Sequence, residues 1–132
     1  MENTSKTLYP FGRALLGVLF LVSGINKIFA FSAVAGWMAS AGLPLAGLLL
    51  AITIVVEVGG GLMLVTGVQA RWAALVIALF LIPVTFVFHA FWSADAAHFQ
   101  DQLTNFLKNV SILGGMLVVF ECEKRRLAQA QA

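Results

Sequence analysis

The stretch AGLLLAITIVVEVGGGLMLVTG, residues 46–67, decides the fold. About 20 consecutive apolar residues cross the hydrocarbon core of a bilayer as a helix, and this run has that length. Glu57 sits near its middle. A carboxylate at that depth costs on the order of 2.5–3.5 kcal/mol unless it is paired, protonated or wetted. Three basic residues, Arg13, Lys27 and Lys108, lie inside or at the edges of other apolar runs. The expectation is a membrane bundle built around one buried acid and its cationic partners.

Working outward, the spacing predicts an all-α fold, a four-transmembrane-helix bundle with spans at about 11–31, 44–68, 72–92 and 104–120. A polar N-terminal arm, residues 1–10, closes at Pro10, and a basic tail, residues 122–132, follows the last span. Between the first two spans, SAVAGWMASAGL (32–43) is too short to cross. Its Trp37 marks it as a short interfacial segment, since tryptophan is enriched at membrane–water boundaries. Lys6 and Arg13 ahead of an apolar run would also suit a cleaved leader, but that run is long, Asn26 and Lys27 interrupt its end and no well-placed small-residue cleavage site follows. In the first span Arg13, Gly17, Phe20, Gly24 and Lys27 recur three or four positions apart and share one helix face. Glycines on such a face let a second helix approach closely, a role also expected of Gly60, Gly61, Gly114 and Gly115. Pro83, inside the third span, predicts a kink by leaving the Leu79 carbonyl without its donor.

Of the 132 residues, 61% are hydrophobic and 11% are charged. An ordinary soluble domain carries about 25% charged residues, so this chain cannot cover a water-facing surface. The formal net charge of +2 does not point to nucleic acid, because the cations cluster at the ends of apolar runs rather than along a soluble face. Cys122 stands alone, which excludes an intrachain disulfide and a two-cysteine redox motif. Placing Lys6, Arg13, Arg71, Lys124, Arg125 and Arg126 on one side satisfies the positive-inside rule, with both termini cytoplasmic. Tyr9 and Trp72 then mark the inner interface, and Trp37 and Trp92 the outer.

Helix rise places Glu57 at roughly 15 Å from the inner interface, Lys27 and Lys108 at about 20 Å and His89 at about 25 Å. Glu57 and Lys27 are therefore the candidate catalytic residues. Arg13, Lys108, Asn105, Asn109, Asn26 and His89 are candidate ligand-binding residues around them. Donors and positive charge exceed what one carboxylate can satisfy, and that surplus suits an anion or a carbonyl oxygen such as a quinone's. The bland reading is that the cations snorkel to the interfaces and Glu57 forms a structural polar lock. Asp95, His98 and Asp101 repeat every three residues, yet no second clustered histidine or cysteine supports a metal site, and none is expected.

Four segments, in order, carry a family likeness: GRALLGVLFLVSGINKI (12–28), MASAGLP (38–44), VEVGGGLMLVTGVQARWAAL (56–75) and NFLKNVSILGGMLVV (105–119). Together they resemble the DoxX-like membrane proteins over about 110 residues. By that resemblance Arg13, Gly24, Lys27, Glu57, Arg71, Asn105, Lys108 and Asn109 are the characteristic polar and glycine positions. The resemblance implies a four-helix, multi-pass protein of the bacterial inner membrane. Some relatives are associated with quinone-linked oxidation of sulfur compounds, and others with thiol or oxidative stress.

The expectation for function is thus a quinone-interacting subunit or accessory of a membrane oxidoreductase. It would have no covalent cofactor, a bound quinone as ligand, and a soluble or membrane redox partner to supply electrons. A scaffold that holds a soluble enzyme through its inner tail is one alternative. A small anion or proton carrier, assembled as a homo-oligomer through the glycine faces, is the other.

Overall fold

The computed structural model describes residues 2–131, and all of its regular structure is helical. Four helices are long and apolar enough to cross a membrane: Lys6–Phe29, Ala46–Thr66, Ala70–Ser93 and Phe99–Ala130. The second, 21 residues long, spans about 31 Å at the helical rise, which matches a bilayer core of about 30 Å. No more than 28% of any apolar window is buried inside the chain. Phe29, Leu45 and Val55 are 87%, 74% and 70% exposed. In water such surface would be a massive apolar patch, whereas in a bilayer it is the lipid-facing side. The chain is an integral membrane protein.

Two compact units divide the chain, Met1–Ala73 and Ala74–Ala132. In the first, α1 (Glu2–Phe29) and α2 (Phe31–Ser40) precede α3 (Ala46–Ile54), a π-helical turn (Val55–Gly59) and α4 (Gly60–Thr66). The last three form one continuous span that packs antiparallel to α1. At ten residues, about 15 Å, α2 is too short to cross; it exposes Trp37 and buries Met38. The polar stretch expected as an arm is helical, because α1 starts at Glu2 and carries Pro10 within it. Proline there removes one backbone bond, to the Lys6 carbonyl, at a polar end that water can reach.

Gly67 ends α4 at φ +83°, where its N–H bonds the Met63 carbonyl. That left-handed conformation is the usual helix stop and suits a residue without Cβ. The second unit holds most of α5 (Ala70–Phe88), a 3₁₀ turn (Phe91–Ser93) and α6 (Phe99–Ala130). Pro83 lies inside α5, which is helical on both sides of it. The basic tail is also helical to Ala130, since its Ala, Leu, Glu, Lys, Arg and Gln residues are good helix formers. Ion pairs one turn apart add support: Glu121 with Lys124 at 3.8 Å and Arg125 at 2.9 Å, and Glu123 with Arg126 at 3.3 Å.

Candidate functional site

The α1–α4 contact brings the site together. Where α1 crosses the second span, backbones meet with almost no side chain between them. A Cβ on Gly61 would lie 2.6 Å from the Leu21 nitrogen and 2.8 Å from the Gly17 carbonyl. One on Gly17 would lie 2.7 Å from the Gly61 carbonyl. Two turns along α1, a Cβ on Gly24 would come within 2.7 Å of Val58 and 3.0 Å of the Glu57 Cβ. Close backbone approach of this kind is how small residues hold membrane helices together. It also brings the next polar residue of α1 to the acid.

Lys27 Nζ donates to both carboxylate oxygens of Glu57, Oε1 at 3.1 Å and Oε2 at 2.9 Å. A third bond goes to Ser23 Oγ, one turn earlier on α1, at 2.6 Å. An ammonium has three N–H groups, so these three acceptors satisfy Lys27. The Glu57 side chain is 8% exposed and that of Lys27 is 27% exposed. The acid is therefore enclosed while the lysine forms the accessible edge. Glu57 belongs to the π-turn Val55–Gly59, a wider helical turn of a kind that recurs at functional sites.

Within the first unit, Lys27 is the one expected donor that bonds Glu57 among the described residues. Arg13 does not reach the acid. Its Nε donates to the Leu64 carbonyl at 2.9 Å, its guanidinium fills the space beside Gly67, and it lies 5.7 Å from the Tyr9 ring. Leu64 is seven residues beyond Glu57, about 10 Å along the helix. Lys108 is exposed on α6 and makes no hydrogen bond or ion pair among the described residues, as expected of a side chain that snorkels. Asn26 is exposed, Asn105 and Asn109 are half-buried, and none of the three makes a side-chain bond among the described residues.

His89 stands just past α5 and meets Gln102 Oε1 through Nδ1 at 3.1 Å. Among the glycines, Gly24 and Gly61 lie at close contacts and Gly60 and Gly115 are half-buried. A Cβ on Gly114 would meet nothing within 4 Å among the described residues. Asp95, His98 and Asp101 do not form one helical face, because Asp95 precedes α6. Asp95 and His98 pair with each other instead, Oδ1 to Nδ1 at 2.7 Å. That bond and the His98 backbone N–H hold the Asp95 carboxyl below its usual range. No group of three or more metal-ligating side chains occurs among the described residues.

Sequence reasoning missed Ser23, although its spacing from Lys27 was legible as i and i+4. It also missed Glu123, which is 8% exposed and bonded by Arg126 Nη1 at 3.3 Å. No feature of the sequence announces the π-turn beyond a carboxylate placed beside three glycines.

A profile of the DoxX family matches residues 9–90, which include most of α1, both halves of the second span and Lys27, Ser23 and Glu57. The chain is 32% identical over 109 residues to the inner membrane protein YqjF of Escherichia coli (strain K12), covering 81% of this chain and 77% of that one. It is 28% identical over 107 residues to the inner membrane protein YphA of the same organism, covering 81% and 76%. No solved structure matches the chain significantly. With the profile matching well over half of the sequence, and with a relative of this similarity, the chain belongs to the DoxX family.

Proposed function

We propose that this protein is a quinone-interacting subunit of an inner-membrane oxidoreductase, and that Lys27 is the residue that meets the quinone. The observation that carries the reading is the division of labour at Lys27. Two of its N–H groups hold the enclosed Glu57 carboxylate, and the third rests on Ser23, a neutral and half-buried hydroxyl. A ligand carbonyl oxygen can replace that hydroxyl as acceptor without disturbing the ion pair. Charge-assisted bonds of this kind are roughly twice as strong as neutral ones.

Quinone reduction takes up two electrons and two protons. The electrons enter from a redox partner; this chain's part is to orient the carbonyl and hold a transferable proton on the Lys27–Glu57 pair. The inner-membrane location of its relatives supports the reading, since lipid-soluble quinones reside in that bilayer. The family resemblance extends the reading to oxidation of sulfur or thiol compounds by the partner. A scaffold acting through the tail is less favoured, because Lys124, Arg125 and Arg126 each pair with Glu121 or Glu123 on their own helix.

Mass spectrometry of protein extracted gently from its native membrane tests the proposal. Quinone near one per protein in the wild type, lost in Lys27→Met and in Glu57→Gln, is the expected result. Wild-type protein that is folded and free of quinone would overturn it.

A further inference from the structure

We propose that the exposed side of α1 is a self-association surface on which a second copy of this chain docks, with Asn26 paired to its counterpart across a two-fold axis. Leu8, Leu15, Leu19, Val22, Asn26 and Phe29 follow one another along α1 at intervals of seven, four, three, four and three. Gly12 splits the first interval into four and three. Positions alternating by three and four form the seam of a left-handed helix pair, and this one runs three heptads from Leu8 to Phe29. Its five large apolar members are 48–87% exposed, and Asn26 is exposed with them.

The seam is not the glycine face. Gly17 and Gly24 lie on the opposite side of α1, packed against Gly61 and Val58 of the second span. A Cβ on Gly12 would meet nothing within 4 Å among the described residues, so the seam is open at that position too.

Apolar side chains alone would suit lipid as well as protein, and Asn26 decides between them. Its carboxamide makes no side-chain bond among the described residues, and the exposed Ile28, Phe29 and Phe31 follow it. Hydrocarbon offers a carboxamide no partner, so another helix that supplies a donor and an acceptor is favoured there. Asparagine is too short to carry its polar end to the interface, as a lysine can. It holds both a donor and an acceptor, and is therefore its own complement.

Two copies inserted with one topology run α1 parallel and hold Asn26 at one depth. A two-fold axis along the membrane normal then sets each seam residue against its like. A charged residue at that point would repel its copy, whereas asparagine bonds it. One asparagine in an apolar seam is also the device that fixes register and strand number in helix pairs. A different partner would need its own polar group at the same depth. None of this rests on the quinone reading at Lys27.

Cys122 is the chain's one cysteine, so a Cys122→Ser background accepts single thiol reporters. Leu15→Cys and Val22→Cys place a thiol on the seam, and Ile52→Cys places one at a similarly exposed position of the second span. Native membranes carrying each variant are oxidised with copper phenanthroline, and products are separated without reductant. The expected result is a dimer of this chain at both seam positions, at least tenfold above that at Ile52→Cys. Energy transfer in liposomes between copies carrying dyes on Cys122 then gives the dissociation constant. Asn26→Val should raise it at least threefold, and Asn26→Gln should leave it near the wild-type value. No dimer at either seam position, or equal yields at all three, would overturn the proposal. A disulfide to a different protein would do so by giving the face another partner. An unaltered dissociation constant in Asn26→Val would remove the asparagine pair on which the choice of occupant rests.

Discussion

At the scale of single residues, the Lys27–Glu57 pair is a defined contact within the first unit. Breaking a buried ion pair from one side strands the other charge, at a cost of about 3–5 kcal/mol. Lys27→Met is therefore expected to lower thermal stability in detergent markedly. Lys27→Met with Glu57→Gln, which removes both charges, should recover most of that loss. Equal destabilisation in the single and double variants would show that the pair contributes little as a pair. Ser23→Ala should cost far less, because Lys27 keeps both bonds to Glu57.

The Asp95–His98 contact carries a pH signature of opposite simplicity. A carboxyl held below its usual range stabilises the fold above that range, and the effect is lost as pH falls through its lowered value. Below the pH range in which histidine side chains ordinarily ionise, the His98 backbone amide signal should hold steady through the ordinary carboxylate range and only then move. In Asp95→Asn that acid transition should vanish; its persistence would assign the transition to another group.

At the scale of elements, the glycine face of α1 was legible, because spacings of three and four place Gly17 and Gly24 on one side whatever the partner. What they meet was not legible. The sequence does not state which turn of the second span lies opposite, so Gly61 and Gly114 look alike on paper. In the fold a Cβ on Gly61 runs into the backbone of Leu21, which cannot give way, whereas one on Gly114 meets nothing within 4 Å among the described residues. Gly61→Ala should destabilise by about 1–3 kcal/mol, the usual cost of overpacking. Gly114→Ala should be neutral or slightly stabilising, since alanine is the better helix former. Thermal unfolding of both variants in one detergent checks the contrast, and matching losses would contradict the contacts described. The π-turn was likewise hidden, because local propensity does not distinguish a five-residue wide turn from the α-helix on either side. Arg13 shows the same limit. Its face was readable, but its reach was not, and a nearer carbonyl at Leu64 captures it.

At the scale of the whole molecule, composition was enough for the fold class: 61% hydrophobic and 11% charged residues leave the membrane as the only solvent that suits the surface. Orientation rests on the positive-inside rule, and Cys122, the lone cysteine, reports it. A membrane-impermeant maleimide should label Cys122 in inverted vesicles and not in intact cells; labelling in intact cells would reverse the topology. The central claim is that Lys27 donates a hydrogen bond to a quinone carbonyl. Infrared difference spectra of a carbonyl-labelled quinone bound to the protein test it most directly. A carbonyl stretch lowered in the wild type, with only the free-quinone stretch in Lys27→Met, which no longer holds the quinone, is the predicted result. The same stretch in both proteins, with quinone bound in each, would contradict it and leave the pair as a clamp between the first two spans.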